Sequence, residues 1–157
     1  MAELAHTHGN SSADQLAAAL EQIQQQLVEG NARLAKQRAQ HQATLREVKL
    51  ARAGASDCSW DLADVEQRLN ELIEQREGPG DLLMEREIAH LTGQRAKLEE
   101  RVLTLLLLVD ELIARAQVEE QALASAEQDW AIREATLIAE RDHISQSIVA
   151  AGCGDAS

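Results

Sequence analysis

The single proline of this 157-residue chain, Pro79, stands almost at its midpoint, within Glu77-Gly78-Pro79-Gly80-Asp81. Proline lacks a backbone donor and fixes φ, so it ends a helix running into it, and glycine supplies turn conformations closed to other residues. Asp81 is placed to cap the helix that follows. Upstream, Ser12-Ala13-Asp14-Gln15 fits the S-x-x-Q capping box, a helix-start signal. Downstream, helical pattern persists to about Ala150, where Gly152 and Gly154 stop it. The chain thus divides into a flexible N-terminus (1–11), two nearly equal arms (12–76 and 82–150) about a turn (77–81), and a flexible tail (151–157). At ~1.5 Å per residue each arm is on the order of 100 Å long. Equal arms about one tight turn predict a hairpin.

The apolar spacing agrees. In the first arm one heptad position holds Leu20, Leu27, Leu34, His41 and Val48, with Leu16 and Ile23 on the neighbouring seam position. Nearer the turn, Leu62, Val65, Leu69 and Leu72 alternate three- and four-residue steps. In the second arm one position runs Ile88, Arg95, Val102, Val109, Ala116, Leu123, Trp130, Leu137 and Ile144, and the other Met84, Leu91, Leu98, Leu105 and Leu112. Such a repeat lays a stripe along one side of a supercoiled helix. The expected fold is therefore all-α, a long antiparallel two-helix coiled-coil hairpin. Its first helix is expected to be interrupted near residues 53–59 (Ala-Gly-Ala-Ser-Asp-Cys-Ser), with Ser59 capping a restarted helix. Opposite that stretch lies Leu105-Leu106-Leu107-Leu108-Val109, apolar around more than one face. These leucines either cover a kink in the first arm, or form a dimer contact, or are buried in a three-helix bundle of 12–52, 60–76 and 82–150.

Composition limits function. Phe and Tyr are absent and Trp60 and Trp130 are the only aromatics, which suits narrow-seamed helices better than a compact globular core. The formal net charge of −12 weighs against a dedicated nucleic-acid binder and against an anionic membrane surface. No segment approaches the roughly 20 apolar residues of a membrane span, and the N-terminal stretch carries neither the basic head nor the apolar run of a signal peptide. Cys58 and Cys153 make no disulfide framework, and in the hairpin register they fall far apart, so a reducing cytoplasm is expected.

Charge is unevenly spread. Residues 33–52 carry Arg33, Lys36, Arg38, Arg46, Lys49 and Arg52 against one acid, Glu47. If partners sum to about 158, this stretch faces Asp110, Glu111, Glu119 and Glu120, and cross-arm ion pairs account for it more simply than a nucleic-acid stripe does. Residues 57–77 are acidic, with Asp57, Asp61, Asp64, Glu66, Glu71, Glu74 and Glu77 against Arg68 and Arg76. They are either a solvated face or a docking surface for a basic partner near the turn.

Chemistry-bearing constellations are missing. His6 and His8 are too few for a structural zinc site, and His41 falls on the seam, where a polar residue sets register. Nothing resembles HExxH, a nucleophile elbow or a P-loop. Neither catalytic residues nor cofactor nor metal ligands are assigned.

The second arm resembles the coiled-coil hairpin of the bacterial family that joins such a hairpin to a C4-type zinc ribbon. Its motif after the turn, E-I-x-x-L, six residues, then L-E-[DE]-x-V-L, is matched by Glu87-Ile88, Leu91, Leu98-Glu99-Glu100 and Val102-Leu103, and Trp130, Leu137 and Glu140-Arg141 follow in the family's order. The likeness covers about residues 60–148. The paired CxxC motifs of the ribbon are not in this sequence, and Asp81 stands before Leu82 where the family has a basic residue. The resemblance implies a coiled-coil adaptor.

The functional expectation is a non-catalytic, cytoplasmic adaptor or chaperone-like protein that binds protein partners along its rod. Candidate contact residues are Asp57, Asp61, Asp64, Glu66 and Glu71 on the first arm and Leu106, Leu107 and Leu108 on the second. The alternatives are a self-associating structural module, a homodimer through those leucines, and nucleic-acid binding through 33–52.

Overall fold

The computed structural model describes residues 6–76 and 81–154, and the side chains of residues 12–76 and 81–153. It contains two helices, α1 (His6–Gln75) and α2 (Leu82–Gly154), and no strand among the described residues. The fold is an all-α helical hairpin. The expected turn falls on residues 77–80, outside the described residues, but its downstream cap is visible. Asp81 Oδ1 accepts from the Met84 backbone N–H at 3.3 Å and its carbonyl accepts from Glu85 N–H at 3.0 Å. The first satisfies a donor that a helix N-terminus otherwise leaves unpaired, and the second is the first backbone bond of the helix itself.

Three boundary expectations are corrected. Helix α1 begins at His6, so Ser12 sits inside it rather than capping it. Nothing between them breaks a helix except Gly9, which costs only about 1 kcal/mol there. Helix α2 continues past Ala150 to Gly154, for the same reason. The third correction is larger: α1 runs unbroken through residues 53–59. Ser59 caps no restarted helix; its Oγ–H donates to the Ala55 carbonyl one turn back, at 2.9 Å. The physical reason is burial. Val48, Ala51, Ala55, Cys58 and Leu69 are all buried, so the seam continues through the small residues in unchanged heptad phase. Small side chains bring the helices close: a Cβ on Gly54 would lie 3.6 Å from Leu105 Cδ1. The kink and the three-helix bundle both fall away.

The helices form two compact units. The turn-proximal unit spans His41–Glu119. Its core is Val48, Ala51, Val109 and Leu112, with Ile113 packed against them. The terminal unit pairs residues up to Gln40 with those from Glu120. Its core is Ile23, Leu27 and Leu137, with Trp130 and Ile144 against it. Leu137 is only 1% exposed, the centre of this cluster.

Taking Leu20 and Ile88 as a positions, the ion pairs mark the flanks of the seam. In the turn-proximal unit Glu47–Arg115 and Arg68–Glu87 join g to g, and in the terminal unit Arg38–Glu127 joins e to e. That is the flank pairing an antiparallel coiled coil requires. Gly30 meets Trp130 and Gly54 meets Leu105, within two residues of the expected register.

Candidate docking surfaces

Asp57, Asp61, Asp64, Glu66 and Glu71 are all exposed on α1 of the turn-proximal unit. The helical repeat does not keep all five together. Asp57, Asp61 and Asp64 share one face, Glu66 lies on the other flank, and Glu71 continues the bearing of Asp57 and Asp64 two turns along, accepting from Gln67 Nε2 at 3.2 Å. Between the three aspartates stands Trp60, 71% exposed, with Asp57 three residues before it and Asp64 four after, the spacings that make side chains neighbours on a helix. None of the three aspartates makes an ion pair within the described residues. The nearby cation Arg68 is engaged elsewhere. Its Nη2 donates to Glu87 Oε1 at 2.7 Å, and that hydrogen bond, followed by the charge of Glu87, raises the guanidinium above its ordinary pKa. An exposed indole among free carboxylates is a surface suited to Lys and Arg side chains, through cation–π contact and charge together. Sequence reading singled out the aspartates and passed over Trp60, although its position one turn from Asp57 and Asp64 was legible there.

Leu106, Leu107 and Leu108 are likewise all exposed, but they point to three bearings. Leu107 is at an outward f position, Leu106 on the e flank and Leu108 on the g flank. They do not form one patch. Leu106 instead neighbours Leu103, three residues before it on α2 and itself exposed.

The basic stretch 33–52 differs from expectation. Only Arg38 pairs across the hairpin, Nε to Glu127 Oε1 at 2.8 Å, with an acid outside the expected set. Arg33, Lys36, Arg46, Lys49 and Arg52 make no ion pair with any described residue. Lys36, Arg46 and Lys49 occupy outward heptad positions from which a side chain cannot reach across the seam. Glu119, expected to pair with these cations, is turned inward instead. Its Oε1 accepts from Thr44 Oγ1 at 3.0 Å, and its Oε2 lies 3.6 Å from His41 Nδ1. Thr44 is 1% exposed, so a polar layer interrupts the leucine seam at this level, in which His41 Nδ1 and Glu119 Oε2 approach without a hydrogen bond.

In the terminal unit the Trp130 ring lies on the backbone of Gly30, and its Nε1–H donates to Asn31 Oδ1 at 3.0 Å. An open groove of about 420 Å³ runs beside it, walled by Arg33 and Arg133 and by Glu29 and Asp129. Arg133 is held by Gln26 Oε1 at 3.0 Å. No group of three or more His, Cys, Asp or Glu able to hold a metal ion occurs among the described residues, and no helix there is long and apolar enough to cross a membrane. Cys58 is buried and Cys153 exposed, both as free thiols.

Comparison with protein-family models, with curated proteins and with solved structures returns no match.

Proposed function

We infer that this chain is a non-catalytic coiled-coil adaptor that docks a basic segment of another protein on the Trp60 face of α1. The observation that carries the reading is the exposed Trp60 set among Asp57, Asp61 and Asp64, carboxylates with no ion-pair partner in the described residues. Tryptophan is among the side chains that most often anchor binding hot spots, and a surface of one sign steers an oppositely charged partner towards it. The resemblance of residues 60–148 to the hairpin of the zinc-ribbon family supports an adaptor role. The net charge of −12 disfavours the nucleic-acid alternative, even though Arg46, Lys49 and Arg52 are free to contact phosphate.

A photo-crosslinking amino acid placed at position 60, with Ile132 as an equally exposed control site, tests the reading in cells. The expected result is one discrete adduct at 60, absent at 132, whose crosslinked peptide is rich in Lys and Arg, and which weakens when Asp61 and Asp64 become Asn. Identical adduct patterns at the two sites, or an acidic crosslinked peptide, would overturn it.

A further inference from the structure

The groove beside Trp130 opens because the seam of the terminal unit is under-filled there. The d positions of α1 hold Gly30 and Gln37, and those of α2 hold Ala126 and Arg133, where a heptad seam ordinarily carries leucine. All four line the groove, with Gln26, Arg33 and Asp129, at g positions, on its rim. The Trp130 ring takes the room left by Gly30. About 420 Å³ stays open beside it, within the range of small-molecule sites.

Each wall carries both signs of charge. Helix α1 contributes Glu29 and Arg33, one turn apart, and α2 contributes Asp129 and Arg133, also one turn apart. Because the helices run antiparallel with Trp130 beside Gly30, the two acids fall nearest the indole and an arginine stands towards each end. None of the four makes an ion pair with a described residue. Glu29 accepts from Gln25 Nε2 at 2.9 Å and Arg133 Nη2 donates to Gln26 Oε1 at 3.0 Å, neutral partners that leave both charges in place. An anion such as a nucleotide would bring its charge against Glu29 and Asp129, and a simple cation would leave both guanidiniums unmatched. A zwitterion matches the set. Its ammonium is received by the two acids and the indole, and its carboxylate by the guanidinium fork of Arg33, which no side chain of the protein engages. Trp130 and Leu34 add an apolar surface for the rest of the ligand.

We propose that this groove binds a free α-amino acid with an apolar side chain, its ammonium held by Glu29, Asp129 and the Trp130 ring and its carboxylate by Arg33. The site is distinct from the Trp60 face and stands or falls independently of it.

Nuclear magnetic resonance of the full chain, with isotope-labelled tryptophan, decides the matter; Trp60→Phe assigns the Trp130 indole signal. The probes are L-leucine, N-acetyl-L-leucine, which keeps only the negative charge, and L-leucine methyl ester, which keeps only the positive one. L-leucine is expected to shift the Trp130 signal saturably and to leave the Trp60 signal in place. Each blocked form binds about tenfold more weakly or worse, since it loses one charge-assisted contact. Arg33→Gln and Asp129→Asn each weaken L-leucine to a similar extent, while Arg38→Gln, on the opposite flank, leaves it unchanged; circular dichroism checks that the variants keep their helix content. No saturable shift with L-leucine, equal binding of the three probes, tighter binding of a blocked form, or Arg33 and Asp129 variants that bind as the wild type does would each overturn the proposal.

Discussion

Two glycines in helix interiors illustrate how opposite the same substitution can be. At Gly30 the Trp130 ring occupies the space a Cβ would need, so any side chain must displace the indole and its hydrogen bond to Asn31. Gly30→Ala gains helix propensity but overpacks the core, and a net loss of about 1–3 kcal/mol is expected. At Gly54 the added methyl meets Leu105 at ordinary contact distance, and the backbone is helical. Gly54→Ala is expected to stabilise by up to about 1 kcal/mol, from reduced freedom of the unfolded chain and one new contact. Urea unfolding followed by circular dichroism measures both, and shifts of the same sign would contradict this reading of the two sites. The Gly30 partnership was half legible. Gly30 occupies a seam position in phase with Ile23, and Trp130 occupies one on α2, but only the register brings the small residue and the large one together.

The polar layer shows how an element is specified. A seam of leucines tolerates sliding by a heptad, because every layer looks alike. Thr44 and Glu119 restrict that freedom, since a shifted register would set the half-buried Glu119 carboxylate against leucine instead of the Thr44 hydroxyl. Thr44→Val strips Glu119 Oε1 of its donor at an almost fully buried position and is expected to cost about 1–3 kcal/mol. Thr44→Val with Glu119→Leu should recover most of that loss, because replacing both partners by apolar groups is nearly neutral. A double variant less stable than Thr44→Val alone would show that the layer is not a pair in this sense. At the same scale the limits of sequence reading are clearest. Both helices and the Asp81 cap follow from leucine spacing and the lone proline, which are local. Local propensity at 53–59 favours a break, and heptad phase overrides it. Val48 and Leu62 lie two heptads apart, and Ala51, Ala55 and Cys58 fill the seam positions between them, so the stripe never stops. Propensity summed over a few residues is a weak prior once an apolar face is there to be buried. The fate of the cations in 33–52 was illegible for another reason. Pairing across a seam depends on heptad bearing as well as on level along the helix, and a sum of residue numbers fixes only the level.

At the scale of the whole molecule, the net charge of −12 sets how docking on the Trp60 face responds to salt. The Debye length falls from about 30 Å near 0.01 M to about 8 Å at physiological ionic strength. In dilute salt a basic segment is drawn by the whole negative field, whereas at physiological salt only the charges near Trp60 still act on it. Binding is therefore expected to weaken steadily over this interval. A salt series on the binding of a Lys- and Arg-containing peptide, followed by fluorescence anisotropy, measures the effect. Binding indifferent to salt would mean that the aspartates around Trp60 take no part, leaving the indole to act through apolar contact alone.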